Sequence, residues 1–407
     1  MAAGSNGSTL TIVSGARTPM AEYSGTKGYG RLKDVSAIDL AAIAAKAAME
    51  RGKVDPKDID HAIVGNATQT SNDALYGARH VALKAGCPDT TPALTVNRIC
   101  GSGLQSVVTG CEQIQLGRSK TTLCGGMENM SQTPFVIHGM REGYRLGQNM
   151  AGEDLLFAAL MDPYCGFFMA QTAENVAKDY SIPRKEQDEY ALRSHQLGAA
   201  AVKAGRFAEE IVPVQVKRGD KVVDTVTTDD HIKPDTTYEG LSQLRPAFGK
   251  DGTVTAGNAS GIVDGAAAVV VTTRATADAK GWPRLAEVLD WDVAGVAPRV
   301  MGIGPVPAIE GLLKRAGLRI EEIDLFEINE AFAAQYLGCE KLLKLDRAKV
   351  NVNGGAIALG HPLGATGTRI IYSLARELRA RGAKYGIASA CNGGGQGIAV
   401  LLRNPKA

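Results

Sequence analysis

Two cysteines and one histidine stand in short glycine-rich segments of this 407-residue chain. The segments are residues 100–103, 360–364 and 391–395. Glycines in such turns let backbone N–H groups approach a ligand closely. Two thiols with one imidazole, and no other evident acid or base, are the groups that carbon–carbon bond exchange between thioesters requires. One thiol can carry an acyl group while the other moves a proton.

Cys100 follows an apolar, strand-like run and precedes a predicted helix over residues 103–116. The free N–H groups and the dipole at a helix N-terminus favour a thiolate, so this position predicts a thiol with a lowered pKa. Free cysteines are also often small buried residues at such junctions. The local sequence alone leaves both interpretations open.

His361 lies in a turn rich in glycine, and turns of this kind at the edge of a sheet commonly bind ligands. We expect its imidazole to act as a base or to donate a hydrogen bond to an oxyanion. Asn329 ends a predicted strand and can position a water or an oxyanion. Capping of a helix N-terminus explains this asparagine nearly as well.

Cys391 ends a predicted strand over residues 385–390, and three glycines beginning at Gly393 turn the chain into the next strand. Such a run lets main-chain N–H groups point at a ligand, whereas a simple hairpin needs only one or two glycines. The cysteines and histidines lack the paired spacing of zinc ligands, so no metal site is expected.

The elements that must position these residues alternate between helix and strand, which favours an α/β fold with helices covering a mixed sheet. A series of helix, glycine, Ile-Asp pair, strand and asparagine over residues 41–66 recurs over residues 307–329. We therefore expect two copies of one fold, although any α/β protein shows some such similarity. Residues 131–250 differ in character and predict an insertion, with an amphipathic helix near residues 172–205, that supplies substrate contacts.

The composition is that of an ordinary enzyme, with 44% hydrophobic residues, 22% charged residues and a formal charge of +2. Neither nucleic acid nor a membrane is an expected partner, because the charge is nearly balanced and the longest apolar runs are far too short to cross a bilayer. The first ten residues show no secretory signal or Arg-rich leader. Seven scattered cysteines fit free thiols in a reducing compartment, so a cytosolic location is expected.

The chain resembles the thiolases, specifically the 3-ketoacyl-CoA thiolases and acetyl-CoA acetyltransferases, over nearly its whole length. The motifs that carry this resemblance are residues 96–103, 329–333, 353–367 and 391–397. It implies reversible CoA-dependent thiolysis of 3-ketoacyl-CoA, with Claisen condensation to acetoacetyl-CoA as the reverse reaction. Coenzyme A would be a substrate, and no tightly bound cofactor is implied.

The same resemblance implies a duplicated thiolase fold of five layers, α-β-α-β-α, with an inserted loop domain. The N-terminal half would comprise residues 1–280, including the loop domain at about 131–250, and the C-terminal half residues 281–407. A homodimer or homotetramer is also implied.

Carried over by position, Cys100 resembles the nucleophile that becomes acylated. His361 resembles the base that activates it and one donor of a first oxyanion hole, which a water held by Asn329 would complete. Cys391 would take or return the α-proton of acetyl-CoA. The amides of Cys100 and Gly393 would form a second oxyanion hole for the thioester oxygen.

The resemblance further implies six CoA-binding residues, with Ser260 at the pantetheine, four residues lining its tunnel, and one lysine near the nucleotide phosphates. The tunnel residues and the lysine are Met169, Phe248, Ala256, Ala331 and Lys233. Many relatives carry arginine at the lysine position, and lysine lacks the planar fork of a guanidinium. Phe168 stands where short-chain relatives tend to have histidine, which favours the general 3-ketoacyl-CoA type. Asn392 replaces an apolar residue that is common in relatives.

Four alternatives remain on the sequence alone. One is a dedicated short-chain biosynthetic acetoacetyl-CoA thiolase, and another is a ketosynthase-like condensing enzyme, which would not need Cys391. A papain-like amidase built on Cys100, His361 and Asn329 would not need it either. The fourth is a catalytically silent CoA- or lipid-binding relative, against which the intact set of four polar residues argues.

Overall fold

The computed structural model describes residues 9–407, so residues 1–8, to which the expectation of no leader mainly refers, lie outside the described residues. The strands are β1 Leu10–Arg17, β2 Ala21–Glu22, β3 His61–Gly65, β4 Ala93–Val96, β5 Thr121–Glu128, β6 Phe135–Val136, β7 Glu153–Asp154, β8 Met161–Asp162, β9 Phe167–Phe168, β10 Val214–Arg218, β11 Lys221–Val226, β12 Val263–Thr273, β13 Ala286–Gly295, β14 Leu325–Ile328, β15 Tyr385–Asn392 and β16 Gln396–Arg403. The helices are α1 Ala37–Gly52, α2 Gly77–Lys84, α3 Ser102–Gln115, α4 Leu155–Ala159, α5 Met169–Asp179, α6 Arg184–Lys203, α7 Tyr238–Ser242, α8 Arg274–Lys280, α9 Pro305–Ala316, α10 Ala333–Leu343, α11 Ala356–Leu359 and α12 Leu363–Arg381.

The main sheet contains the same strand arrangement twice. The first half runs in the order β4-β3-β5-β12-β1, and the second in the order β14-β15-β16-β13. β3 is parallel to β4 and β5, just as β14 is parallel to β15 and bridges to Val350. The remaining pairings in both halves are antiparallel. β1 and β13 pair antiparallel where residues 10–12 meet residues 286–288, so the two halves join in one sheet.

Equivalent aspartates support the two copies. The Asp60 Oδ2 atom accepts hydrogen bonds from the backbone N–H groups of residues 120 and 121, at 2.7 and 3.0 Å. The Asp324 Oδ2 atom accepts from residues 384 and 385, at 2.8 and 2.9 Å. These are the aspartates of the two Ile-Asp pairs, and the predicted duplication is confirmed.

Side-chain alternation along the strands divides the molecule into five layers. Val64 packs in an outer apolar cluster with α1 and α2, whereas Ile63 faces a central cluster around α3 and α12. In the second half, Ile387 faces the opposite outer cluster with α9 and α10, and Ala388 faces the same central cluster. Because successive strand residues point to opposite faces, both sheet halves are covered twice and share the central helices. The predicted α-β-α-β-α order is confirmed.

The segment between β5 and β12 carries three short hairpins and four helices. The single amphipathic helix predicted near residues 172–205 is wrong, because α5 and α6 are separate. Ser181 adopts a left-handed φ of 52°, and Pro183 precedes α6 without an N–H to continue the first helix. The half and loop-domain boundaries at 1–280, 131–250 and 281–407 stay predictions. Among residues 9–407, no helix is long and apolar enough to cross a membrane.

Candidate active site

Cys100 lies in a single turn of 3₁₀ helix that leads into α3. The turn is strained, since Ile99 has a φ of 49° despite its β-branched side chain. Two hydrogen bonds hold it, from the Ile99 N–H to Asn97 Oδ1 at 2.8 Å and from the Ser102 hydroxyl to the Ile99 carbonyl at 2.7 Å. A strained turn persists where its surroundings determine it strongly, and such turns cluster at functional sites.

Glycines bring the N-terminal ends of α3 and α12 together. A Cβ atom built on Gly103 would lie 2.5 Å from the backbone nitrogen of Thr368 and 2.8 Å from the Gly364 carbonyl oxygen. Gly367 in turn meets the backbone of Leu104. The two helices therefore touch backbone to backbone at a point that only glycine allows. This crossing places the turn of Cys100 beside the turn that precedes α12.

His361 lies in that second turn, and two hydrogen bonds fix its orientation. Its backbone N–H donates to the Gly261 carbonyl at 2.9 Å, and Nδ1 lies 2.7 Å from the Thr366 hydroxyl oxygen. The Thr366 hydroxyl donates to the Pro362 carbonyl at 3.1 Å. Since that hydroxyl proton is engaged, its oxygen accepts from Nδ1–H, which leaves the lone pair on Nε2.

The His361 Nε2 atom faces Asn329, with Nδ2 of the amide at 3.3 Å. The Asn329 backbone N–H donates to the Ser389 carbonyl at 2.9 Å, which continues the parallel pairing of β14 and β15. Burial, and then the charge of Arg369, lower the pKa of His361 to about 3, so the imidazole is neutral near pH 7. A neutral imidazole whose Nε2 atom carries the lone pair can accept a proton there.

Both predicted thiols belong to this buried centre. Cys391 is fully buried, near the end of β15, and the Gly393 N–H points at the Cys100 sulfur. Burial raises the pKa of Cys100 to about 12, and burial with the neighbouring Cys100 raises the pKa of Cys391. The predicted lowering of the Cys100 pKa is therefore wrong, because loss of hydration outweighs the helix N-terminus and the Gly393 amide. The resting centre holds two neutral thiols beside a neutral imidazole.

Glu128 connects the two halves at this centre, and sequence reasoning missed it. Its buried carboxylate accepts from Asn66 Nδ2 at 2.9 Å, from the Thr68 N–H at 2.9 Å and from the Gly364 N–H at 2.8 Å. Burial raises the pKa of Glu128. One carboxylate thus fixes a loop of the first half against the turn that carries His361. No local pattern marks this glutamate, since its partner Gly364 is 236 residues away.

Glu330 is a second buried carboxylate that joins separate segments, here the loop after β14 and helix α6 of the insertion. It accepts from the hydroxyls of Tyr190 and Ser194 on α6, both at 2.7 Å, and from Asn351 Nδ2 at 3.0 Å. The residue directly follows Asn329, so these bonds hold the loop that carries the amide. The motif containing residues 329–333 drew attention to this stretch, but the partners of Glu330 are not evident from the sequence.

The residues predicted to bind CoA extend outward from the thiols. Ala331 belongs to the small buried cluster with Cys391, and Met169 packs against that cluster at the start of α5. The half-buried Ser260 donates its N–H to the Ala331 carbonyl at 3.0 Å. These three residues therefore adjoin the buried centre.

The remaining predicted contacts lie farther out. The ring of Phe248 stacks on Phe168 with centroids 5.2 Å apart, beside a cleft of about 580 Å³ between α5 and residues 248–253. Ala256 is exposed, and so is Lys233, whose backbone N–H donates to His195 Nδ1 at 3.3 Å. Nothing places Lys233 in the buried group. Within residues 9–407, no cluster of three or more His, Cys, Asp or Glu residues has an arrangement that could hold a metal ion.

The arrangement of two thiols, an imidazole and an amide at the junction of two fold copies matches one family of acyl-transferring enzymes. The model of the thiolase N-terminal domain matches residues 10–275, and that of the thiolase C-terminal domain matches residues 282–404. The chain belongs to the thiolase family.

Its relatives cover almost the whole chain. It is 50% identical to human mitochondrial 3-ketoacyl-CoA thiolase over 97% of this chain and 98% of that protein. It is 47% identical to acetyl-CoA acetyltransferase of Escherichia coli strain K12, over 96% of this chain and 98% of that protein. The crystal structure of the human mitochondrial enzyme superposes with a TM-score of 0.94, covering 98% of this chain and 99% of the other, and a second structure of that enzyme in complex with CoA gives 0.93.

These comparisons correct the expected cytosolic location. Five relatives that are 49–50% identical, from human, orangutan, mouse, cattle and rat, are named as mitochondrial enzymes. The expectation of a cytosolic protein was wrong, because free cysteines occur in any reducing compartment and do not distinguish one from another.

Proposed function

We propose that this protein catalyses the reversible CoA-dependent thiolysis of 3-ketoacyl-CoA to acetyl-CoA and a shortened acyl-CoA. Membership of the thiolase family and 50% identity to a 3-ketoacyl-CoA thiolase support this activity. The observation that carries it is the second thiol: Cys391 is fully buried and near enough to Cys100 for that residue to raise its pKa, at the centre that also holds His361. An amidase or a ketosynthase has no use for it.

In the proposed reaction, His361 accepts the Cys100 proton as the sulfur attacks the 3-keto carbon. The new sulfur–carbon bond forms, and the bond between C2 and C3 breaks. Its electron pair leaves on acetyl-CoA as an enolate, which takes a proton from Cys391. A second CoA then attacks the acyl group on Cys100 and gives its proton to the Cys391 thiolate. The departing Cys100 sulfur regains its proton from His361, so all groups return to their starting state.

The same geometry supports the proposed oxyanion sites. The buried Oδ1 atom of Asn329 has no hydrogen-bond partner among the described residues, so it is free to accept from a water at the first site. The His361 Nε2 atom would supply the second donor there after it takes the proton. For the acyl-enzyme, the Gly393 N–H already points at the Cys100 sulfur, which supports its part in the second site.

For CoA, we propose that Ser260 and Met169 contact the pantetheine, with Ala331, Phe248 and Ala256 along its path. Lys233 would attract the nucleotide phosphates as a surface charge. The stacked ring of Phe248 borders a surface cleft, which supports its place at the outer end of this path. A short-chain biosynthetic role is the second candidate, since an acetyl-CoA acetyltransferase is 47% identical.

We also propose the predicted division into halves and a homo-oligomer. The family matches end and begin within residues 275–282, which supports a boundary near 280. β4 forms one edge of the sheet, and beside it Leu75 and Tyr76 are 79% and 60% exposed, which supports a dimer across that edge. Exposed Phe135 and Leu146, on the arm between β5 and α4, support a further contact in a tetramer. Light scattering of the purified protein tests the oligomer.

The test of function is CoA-dependent cleavage of 3-ketoacyl-CoAs with four to sixteen carbons, followed by loss of the enolate absorbance. Cys100→Ser and Cys391→Ala should each lower the rate by orders of magnitude, while the control Cys165→Ala, in a half-buried thiol outside the centre, should not. Activity confined to four carbons supports the biosynthetic candidate. Near-normal turnover in either of the first two variants contradicts the assigned roles.

A further inference from the structure

A second polar pair lies directly behind the imidazole and the amide. On β14, Leu325 packs in the central apolar cluster, while Phe326 and Ile328 face the outer one. By alternation, Glu327 and Asn329 face the central layer and α12 with Leu325. Strand geometry sets the Cα atoms of Glu327 and Asn329 roughly 7 Å apart along this face.

The partner of Glu327 is Arg369 on α12, the helix that follows His361. Its Nη1 atom lies 4.0 Å from Glu327 Oε2, which is too long for a hydrogen bond. Arg369 is only 2% exposed, and its Nε atom has no hydrogen-bond partner among residues 9–407. Arg369 with Glu327 therefore joins α12 to β14, while His361 with Asn329 joins the turn before α12 to the residue after β14. The proposed mechanism uses only the contact of His361 with Asn329.

The charges around this pair leave it poorly balanced. Arg17 is already bonded to Glu210 at 3.0 Å and to Asp229 at 2.7 Å, so it does not neutralise Glu327. Burial raises the pKa of Glu327 to about 8; the charge of Arg369 opposes this rise, and the surrounding carboxylates add to it. The charged groups that act on the pair from neighbouring elements are Arg17, Glu210, Asp229, Glu330 and Glu377.

A protonated Glu327 leaves the buried guanidinium of Arg369 uncompensated. That positive charge opposes protonation of the nearby imidazole. Arg369 is the second cause, after burial, of the lowered pKa of His361. Ionisation of Glu327 would offset the charge and make His361 a stronger base. The pair is therefore arranged to act on catalysis through the imidazole, without touching substrate.

We propose that Glu327 and Arg369 are positioning residues that set the proton affinity of His361, with Arg369 weakening the base and ionised Glu327 restoring it. This inference rests on the proposed role of His361 as the base for Cys100. It predicts opposite effects for removal of the two charges. If the pair were purely structural, removing either charge would lower the activity of the enzyme to a similar extent.

The experiment measures the rate at which iodoacetamide alkylates Cys100 between pH 6 and 10, quantified by peptide mass spectrometry, in the wild type, Glu327→Gln and Arg369→Gln. In the wild type we expect the alkylation rate to rise by about threefold to tenfold across pH 8 as Glu327 ionises, in addition to the steady rise from ionisation of the thiol itself. In Glu327→Gln this rise should be absent, and the rate above pH 9 should be lower by the same factor. In Arg369→Gln the rate near pH 7 should exceed that of the wild type, and the rise should move to higher pH.

If either single variant folds poorly, the double variant Glu327→Gln/Arg369→Gln replaces it, because it keeps a neutral pair of similar size. The double variant should show no added rise, or step, in alkylation rate across pH 8. The control is Glu287→Gln on β13, which removes another buried carboxylate. Glu287 is 1% exposed and forms ion pairs with Arg274 and Arg403. It should keep the wild-type step. Equal slowing in both single variants, or a step that survives in Glu327→Gln, would overturn the proposal.

Alkylation needs no turnover, which separates this inference from the proposed function. Thiolysis by the wild type with no step at pH 8 contradicts only the inference. The expected alkylation pattern without thiolysis contradicts only the function.

Discussion

The crossing of α3 and α12 gives the sharpest prediction, through the variant Gly103→Ala. The added methyl would lie 2.5 Å from the Thr368 nitrogen, whereas ordinary contacts begin at 3.4 Å, so the backbones must separate by about 0.9 Å. Overpacking costs about 1–3 kcal/mol, and it falls at the upper end here because the opposing atoms are backbone. Alanine regains about 1 kcal/mol of helix propensity. The net loss in the free energy of unfolding is then about 1–2 kcal/mol.

The effect on activity should be larger than the effect on stability. The crossing holds the turns of Cys100 and His361 together, and a displacement of about 1 Å between reacting groups costs roughly 100-fold in rate. Urea unfolding followed by circular dichroism gives the first quantity, and cleavage of a 3-ketoacyl-CoA gives the second. The control is Gly198→Ala within α6, where the nearest atom is the Ala358 methyl at 3.2 Å, so neither the free energy of unfolding nor the turnover rate should fall. Gly103→Ala with unfolding and turnover like the wild type would refute the role assigned to this crossing.

Three further predictions follow from single buried groups. Thr366→Val removes the oxygen that accepts from His361 Nδ1–H, so kcat should fall about 10-fold to 100-fold in steady-state assays with KM unchanged; an unchanged kcat contradicts this. Asn392→Leu replaces a buried amide that has no partner among the described residues, so thermal unfolding should show a higher melting temperature, and a lower one would count against it. Burial raises the pKa of Asp264 to about 6, so its ionisation destabilises the fold increasingly as pH rises from about 4 through 6. Asp264→Asn, which keeps contact with Ser131, should therefore stabilise the protein by about 2 kcal/mol more at pH 8 than at pH 4 in urea titrations, and a pH-independent effect would contradict the linkage.

Local sequence was enough to single out the residues that sit in unusual turns, though not to assign their roles. Cys100, His361 and Cys391 were found because each is flanked by glycines, and glycine runs have few explanations other than close approach. The paired aspartates, Asp60 and Asp324, likewise marked the duplication because each copy repeats the same short series. Such signals lie within a few residues of the group they identify.

What the sequence could not supply depends on distant parts of the chain. Glu128 and Thr366 are ordinary residue types in ordinary settings, and their roles come only from the atoms that folding brings to them. The direction of the Cys100 pKa shift was wrong for the same reason. A helix N-terminus is visible in sequence, but complete removal of the sulfur from water is not.

The pairing of β1 with β13, which joins the two copies in one sheet, implies that activity requires both copies. In the proposed mechanism, the first copy supplies Cys100, and the second supplies Asn329, His361 and Cys391. Either copy expressed alone would be chemically inert, however well it folded. A gene cut in the linker that follows α8 should thus yield two silent polypeptides, and turnover would return only when their shared sheet re-forms. Catalysis would therefore depend on the correct assembly of the two copies.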